Sequence, residues 1–230
     1  MTQLKIWNWR KVKRMDNFEV VIFDCDGVLV DSEYLTNTVF AEMLNELGLP
    51  VTLEDMFDKF VGNSMVKCLE IIKEMLGKPA PKDFAEQYRA RTKLALESNL
   101  KPVKGVEDVL KKIKLPYCVA SSGDHEKMRT TLGITGLLPY FEGKFFSVTE
   151  VARGKPHPDI FLYAADKMRV EPRRCIVVED TPIGVAAGVA AGMKVFGYAE
   201  LMNPQRLKES GASLVFTEMK LLPQLIGDSD

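Results

Sequence analysis

The stretch VVIFDCDG, residues 20–27, decides the fold, because a short apolar run ends abruptly in two aspartates and a glycine. Val, Ile and Phe favour strands, and a run that does not alternate with polar residues is typical of a strand covered on both faces. Similar runs recur at 117–120, 144–148, 175–178 and 193–198. Helical patterns at 105–114, 124–132, 158–168 and 181–191 separate most of them. This alternation predicts an α/β fold with a doubly wound parallel sheet.

One segment interrupts the alternation of strands and helices. From 33 to 99 the apolar residues recur with helical spacing, in four stripes that glycine and proline separate in places. We therefore expect a small all-helical insert directly after the first strand. The remaining residues, 18–32 and 100–217, are predicted to form the sheet-containing core. The first 17 residues form an N-terminal extension that we expect to be poorly ordered.

The residue balance argues against a nucleic-acid or membrane partner. The 230 residues carry 31 basic and 32 acidic side chains, a net charge of −1, whereas such partners attract strongly basic proteins. The four cysteines, Cys25, Cys68, Cys118 and Cys175, match neither a zinc-binding spacing nor a CxxC motif. We expect them to be reduced, which predicts a cytoplasmic protein. A monomer is the simplest expectation for its assembly.

Polar side chains follow the predicted strands, at the points where the strands end. In an open α/β sheet, ligands bind beyond the carboxyl ends of the strands. We therefore expect these side chains to converge on one small volume that holds several carboxylates, one ammonium group and hydroxyl groups. The residues are Asp24, Asp26, Ser121, Ser122, Lys155, Glu179 and Asp180.

A carboxylate cluster of this kind requires a cation, because like charges a few ångströms apart suppress one another's ionisation. An all-oxygen site suits Mg²⁺, which commonly shares its coordination shell with phosphate. Lys155 and Ser121 can bind phosphate oxygens, and Asp24 can attack phosphorus to form an acyl phosphate. Asp26 can protonate the leaving oxygen and later deprotonate a water molecule. The pattern therefore predicts phosphoryl transfer from a small phosphorylated metabolite to Asp24.

These residues resemble the four motifs of the haloacid dehalogenase-like hydrolase superfamily. The first motif is similar to DCDGVLVDSE at 24–33, whose form DGVxVDSE looks like the subgroup of sugar-phosphate phosphatases and β-phosphoglucomutase-like proteins. The second, third and fourth motifs are similar to VASSG at 119–123, GKPHPD at 154–159 and VVEDT at 177–181. The four motifs in this order are far more specific than any one of them, and the likeness extends over about 18–216.

The resemblance implies a fold and a set of metal ligands. The fold is a Rossmann-like core with a mobile helical cap, which agrees with the helical insert at 33–99. The implied Mg²⁺ ligands are the side chains of Asp24 and Asp180 and the backbone carbonyl of Asp26, with Glu179 near the ion.

The resemblance also implies phosphate-binding and substrate-binding residues. Ser121 and Lys155 correspond to the phosphate-binding hydroxyl and lysine, and Ser122 is either a second phosphate contact or a cap of the turn. In the cap, Gly62, Asn63 and Ser64 look like the family's substrate-facing loop. A plain turn explains these three residues equally well.

Three functions are compatible with the motifs. We favour a phosphatase that hydrolyses a sugar or sugar-acid phosphate. A phosphomutase similar to β-phosphoglucomutase is the alternative, but Thr36 stands where that enzyme has a histidine that couples cap closure to substrate. A degenerate binding module is the third possibility, and the presence of both the nucleophile Asp24 and Lys155 argues against it.

Overall fold

The computed structural model describes residues 17–61 and 65–227. Within these residues one sheet of six parallel strands forms, in the spatial order β3-β2-β1-β4-β5-β6. The strands are β1 (Val20–Phe23), β2 (Tyr117–Ser121), β3 (Phe145–Ser147), β4 (Cys175–Glu179), β5 (Lys194–Tyr198) and β6 (Leu214–Phe216). The predicted fold class, a doubly wound parallel α/β sheet of the Rossmann-like type, is confirmed.

Four helices lie between β1 and β2, in the segment for which an all-helical insert is predicted. They are α1 (Ser32–Glu46), α2 (Leu53–Lys59), α3 (Met65–Leu76) and α4 (Phe84–Asn99). Their buried side chains form a hydrophobic cluster of their own around Phe40, whose ring contacts the rings of Phe60, Phe84 and Tyr88. The predicted cap boundaries at 33 and 99 stay a prediction, although the helices begin and end close to them.

Seven further helices of the described chain accompany the remaining strands. They are α5 (Val106–Lys112), α6 (His125–Ile134), α7 (Leu138–Phe141), α8 (Asp159–Met168), α9 (Pro182–Ala190), α10 (Pro204–Glu209) and α11 (Leu222–Leu225). Short 3₁₀ turns occupy Val148–Glu150, Pro172–Arg174 and Met219–Leu221. None of the helices in the described part of the chain is long and apolar enough to cross a membrane.

The strands are buried on both faces, which explains their unbroken apolar runs. On β1, Val21 and Phe23 pack into one hydrophobic cluster, whereas Val20 and Ile22 pack into a second cluster on the opposite face. Successive side chains of a strand point to opposite faces, so a strand with helices on both sides needs apolar residues at every position. All four residues of β1 are fully buried.

Strand β6 is not among the strands predicted from the sequence. It has only three residues, two of them partly exposed, and it pairs with β5 alone at the edge of the sheet. Its apolar run, Leu-Val-Phe, is only three residues long and lies between Ser213 and Thr217, so it gives a weaker strand signal than the longer runs of β1 and β4.

The register of the three central strands aligns their carboxyl ends. Phe23 of β1 stands opposite Val119 of β2 and Val178 of β4. The backbone N–H of Asp24 continues the ladder by donating to the carbonyl of Val178 over 3.0 Å. The residues that follow these strands therefore share one edge of the sheet.

Candidate active site

Asp24 and Asp26 stand at the end of β1, where the chain turns sharply. Asp24 is buried, and the backbone N–H of Gly27 closes the turn by donating to the carbonyl of Val30 over 2.9 Å. Gly27 has a φ of 77°, in the left-handed region that favours glycine. The turn thus buries the Asp24 carboxylate and leaves the Asp26 carboxylate partly exposed.

Lys155 joins the ends of β1 and β4 through its ammonium group. The Nζ atom donates to Asp24 Oδ1 and to Glu179 Oε1, the latter over 2.7 Å. The side chain is only 6% exposed, and its Nζ lies 4.9 Å from the centre of the Phe161 ring. A buried ammonium group needs such partners, because an unpaired buried charge is strongly unfavourable. Lys155 therefore fixes the distance between the two carboxylates.

Glu179 uses both of its carboxylate oxygens within this arrangement. Its Oε1 accepts from Lys155, and its Oε2 accepts from the backbone N–H of Thr181 over 2.8 Å and from the Thr181 hydroxyl over 2.9 Å. Thr181 in turn caps α9, since its Oγ1 accepts from the backbone N–H of Gly184 over 3.1 Å. A Cβ atom at residue 184 would lie 1.7 Å from Glu179 Oε1, so glycine is needed for this close approach.

Asp26 is held from two sides. Its Oδ1 accepts from the Ser32 hydroxyl over 2.8 Å, and its Oδ2 accepts from Lys127 Nζ over 2.7 Å. Ser32 is the first residue of α1, and Lys127 lies in the first turn of α6. Asp26 therefore connects the core turn with the first helix of the insert and with the helix that follows β2.

Ser121 and Ser122 follow β2 but differ in burial. Ser121 is buried, and its Oγ accepts from the backbone N–H of Gly123 over 3.0 Å. Ser122 is exposed. Ser147, at the end of β3, donates from its hydroxyl to the carbonyl of Gly123 over 2.9 Å and so supports the same turn. The Ser121 hydroxyl is thus held at the strand ends by the turn.

Asp180 lies beside the turn at Gly27. Its Oδ1 is buried and has no hydrogen-bond partner among the described residues. A Cβ atom at residue 27 would lie 2.1 Å from Asp180 Oδ2 and 3.2 Å from the Cγ atom of Glu33. The absence of a side chain at residue 27 therefore lets two acidic side chains approach the same side of the turn.

The acidic side chains raise one another's pKa. Burial raises the pKa of Asp24 to about 7, with Lys155 opposing the rise and Glu179 adding to it. Burial and the carboxylates of Glu179 and Asp24 raise the pKa of Asp180 well above its usual range. Burial and Asp26 raise the pKa of Glu33. Burial alone would lower the pKa of Lys155, but the carboxylates of Asp24 and Glu179 hold it above its ordinary value.

The donor set fits a hard divalent cation. Asp180 has a buried oxygen without a hydrogen-bond partner among the described residues, Gly27 leaves space beside it, and burial together with neighbouring carboxylates raises the pKa values of Asp24 and Asp180, so a cation bound here would be well stabilised. Carboxylate and carbonyl oxygens are the ligands that Mg²⁺ prefers. In residues 17–61 and 65–227, no three acidic, His or Cys side chains already form a metal-binding group. Lys155 occupies one Asp24 oxygen in this arrangement.

The polar residues predicted at the strand ends are brought to one edge, but not every predicted site residue can be located. Gly62, Asn63 and Ser64 lie outside the described residues. Contributors that were not among the predicted site residues include Ser32, Lys127, Ser147 and Thr181. Lys127 has the sequence pattern of an ordinary surface lysine on a helix, so no signal in the sequence marks it as a neighbour of Asp26.

Comparison with known proteins identifies relatives along most of the chain. A model of the haloacid dehalogenase-like hydrolase family matches residues 18–192. The chain is 34% identical to the 6-phosphogluconate phosphatase of Escherichia coli (strain K12), over 92% of this chain and 96% of that protein. It is 30% identical to a phosphorylated carbohydrates phosphatase of Thermotoga maritima, over 84% of this chain and 92% of that protein. A solved haloacid dehalogenase-like protein from Agrobacterium tumefaciens is 33% identical, with a TM-score of 0.87 over 92% of this chain and 98% of that one.

The chain belongs to the haloacid dehalogenase-like hydrolase family. The predicted family and the predicted enzyme class, phosphoric monoester hydrolase, are thereby confirmed.

Proposed function

We propose that this protein is a Mg²⁺-dependent phosphatase that hydrolyses a small phosphomonoester of the sugar or sugar-acid phosphate class through an aspartyl-phosphate on Asp24. The observation that carries the proposal is a buried carboxylate, Asp24, that is paired with Lys155 and is followed two residues later, in the same turn, by a more exposed carboxylate, Asp26. A nucleophile and a separate proton carrier are the two groups that this reaction needs. The phosphatase names of the relatives from Escherichia coli and Thermotoga maritima support the substrate class.

In the first step, an oxygen of the Asp24 carboxylate attacks phosphorus and the bond from phosphorus to the leaving oxygen breaks. Asp26 gives its proton to that oxygen, so the products are an alcohol and an acyl phosphate on Asp24. In the second step, Asp26 takes a proton from water while the water oxygen bonds to phosphorus. Inorganic phosphate leaves, and Asp24 is a free carboxylate again.

Two further residues bind the phosphoryl oxygens. The ammonium group of Lys155 and the hydroxyl of Ser121 are donors at the same edge of the sheet, and donors of this kind stabilise charge that develops on transferring phosphoryl groups. Ser122 is exposed, which favours a minor role at the turn. Glu179 keeps Lys155 in place, because both of its oxygens are already used by Lys155 and Thr181.

Asp24 and Asp180, together with the backbone carbonyl of Asp26, would hold Mg²⁺. The bound ion supplies positive charge that offsets the negative charge of the carboxylates and of the phosphate group. Because Glu179 already makes three hydrogen bonds, we place it beside the ion and not among its direct ligands.

The test is phosphate release from a panel of phosphorylated metabolites in the presence of Mg²⁺. We expect release from sugar or sugar-acid phosphates, and we expect Asp24→Asn to abolish it because an amide cannot act as the nucleophile. Asp108→Asn, at an exposed position on α5, is the matched control and should retain activity. Failure of the wild-type protein to release phosphate from any compound would contradict the proposal. Conversion of one sugar phosphate into an isomer with little free phosphate would favour the phosphomutase instead.

A further inference from the structure

Lys127 makes a long-range ion pair with Asp26. Its Nζ lies 2.7 Å from Asp26 Oδ2, although the two residues are 101 positions apart in the sequence. The Lys127 side chain is 44% exposed and that of Asp26 is 22% exposed. An ion pair of this exposure contributes little to stability, on the order of 1 kcal/mol or less. The ion pair therefore matters for the positions of the Lys127 and Asp26 side chains more than for stability.

The position of Lys127 follows from the start of α6. The Asp124 side chain caps this helix by accepting from the backbone N–H of Lys127 over 2.7 Å. The next residue, Met128, is buried in the hydrophobic cluster on one face of the sheet. The backbone of Lys127 is thus held by the helix cap before it and by the buried Met128 after it, and the side chain extends from this position to Asp26.

The aliphatic stem of Lys127 passes over the turn that follows β2. A Cβ atom at residue 123 would lie 3.2 Å from Lys127 Cδ and 3.4 Å from Ser121 Oγ. Gly123 therefore leaves the space through which the stem passes on its way to Asp26. The Lys127 side chain therefore packs against the turn that presents Ser121.

We propose that Lys127 is a positioning residue that, together with Ser32, holds the Asp26 carboxylate at the place where it exchanges protons with the leaving oxygen and with water. Ser32 donates to one Asp26 oxygen over 2.8 Å and Lys127 donates to the other over 2.7 Å, so hydrogen bonds to both oxygens fix the orientation of the carboxylate. A carboxylate held by one donor alone can rotate away from the reacting atoms. This inference rests on the proposed function, because it concerns the proton carrier of that reaction.

The test compares two substrates that differ in their need for a proton. An alkyl phosphate expels an alkoxide and needs Asp26 as an acid, whereas p-nitrophenyl phosphate expels a stable phenolate and does not. The ratio kcat/KM reports the steps up to loss of the leaving group, so it isolates this requirement from the later attack of water. The variants are Lys127→Met, which keeps the stem, and Lys127→Arg, which keeps a charged donor.

For Lys127→Met, we expect kcat/KM for the alkyl phosphate to fall about tenfold or more, with a change of less than about threefold for p-nitrophenyl phosphate. Lys127→Arg should restore most of the loss. In an Asp26→Asn background, Lys127→Met should have no further effect, because a residue that acts through Asp26 cannot act without it. Lys111→Met is the matched control, since it removes an ion pair with Glu107 of 2.6 Å on α5 and should leave both ratios unchanged.

Three outcomes would overturn the inference while the proposed function stands. Equal losses for both substrates, or a loss that persists in the Asp26→Asn background, would mean that Lys127 contacts the phosphoryl group or the leaving group directly. Wild-type rates for Lys127→Met would mean that the ion pair has no part in the reaction. By contrast, an inactive wild-type protein would count against the proposed function itself. Thermal unfolding of each variant identifies any that fails to fold.

Discussion

The Asp24 carboxylate illustrates how a single residue is governed by its charged neighbours. Burial works against its ionised form, Lys155 favours that form, and Glu179 disfavours it. The net result is a pKa of about 7, compared with an ordinary value of 3.8. A divalent cation would shift this balance toward the ionised form, because its positive charge lies against the carboxylate oxygens.

The raised pKa predicts how pH affects stability and Mg²⁺ binding. Between about pH 4 and pH 7 the folded, metal-free protein keeps a proton on Asp24 that the unfolded chain has lost. The free energy of unfolding should therefore fall as pH rises through this window, and the full destabilisation should be present above pH 7. Mg²⁺ must displace that proton, and the pKa of Asp180, a second proposed ligand, is also raised, so the apparent Kd of Mg²⁺ should rise at least about tenfold for each pH unit below 7.

Thermal unfolding with and without Mg²⁺, at constant ionic strength, checks this prediction. The gain in Tm on adding Mg²⁺ should be small near about pH 5.5 and larger near about pH 7.5. Asp24→Asn removes both the titrating carboxylate and a proposed metal ligand, so it should lose most of the gain at either pH. An equal gain in Tm at both pH values in the wild-type protein would contradict the prediction.

At the scale of elements, the start of α9 determines how the fourth motif is held. Thr181 caps the helix and also bonds to Glu179, which in turn holds Lys155. A cap residue and an active-site support are therefore the same side chain. The consequence is that a change at this helix end should affect both stability and activity.

We expect Thr181→Ala to lower the free energy of unfolding by about 1 kcal/mol through loss of the cap, and also to lower kcat because Glu179 loses the Thr181 hydroxyl as a partner. Asn203→Ala is the matched control, since Asn203 caps α10 by accepting from the backbone N–H of Gln205 over 2.9 Å. It should lose a similar stability with no loss of activity. Chemical denaturation and steady-state kinetics measure the two effects. Full activity in Thr181→Ala would show that the Thr181 hydroxyl is dispensable for the site.

The sequence predicts the inner elements better than the edges. The unbroken apolar runs of β1 and β4 mark strands covered on both faces, and the helical pattern predicted from residue 124 begins where Asp124 caps α6. The apolar run of the edge strand β6 is only three residues long, which is too short to mark a strand clearly. Lys127 could not be predicted as a neighbour of Asp26, because its reach depends on the space that Gly123 leaves in three dimensions.

At the scale of the whole molecule, the described residues contain three hydrophobic clusters. Two lie on opposite faces of the sheet, and the third lies within helices α1–α4 around Phe40. Leu35 on α1 and Leu96 on α4 pack against one of the sheet clusters. Val61, which follows α2, packs against the other sheet cluster. The insert therefore contacts the core near its two ends and at Val61, but it has an interior of its own.

This division predicts that the insert can unfold locally while the sheet stays folded. Phe40→Ala should cost about 3–5 kcal/mol, because the ring fills the centre of the third cluster. In hydrogen exchange, the amides of α1–α4 should exchange faster while β1 and β4 stay protected. The matched control is Phe141→Ala, since Phe141 packs against Phe23 and Tyr117 beside the sheet. That variant should loosen β1 as well. Equal loss of protection in both variants would mean that the molecule unfolds as one unit.

The proposed chemistry depends on one covalent intermediate, and the most direct measurement is to detect it. Wild-type protein with Mg²⁺ and a substrate that it hydrolyses is quenched in acid within one turnover, digested and analysed by mass spectrometry. We predict a peptide that contains Asp24 and carries one added phosphoryl group, and we predict its absence from Asp24→Asn. Phosphate release at the wild-type rate by Asp24→Asn, or a phosphoryl group on another residue, would contradict the assignment of Asp24 as the nucleophile.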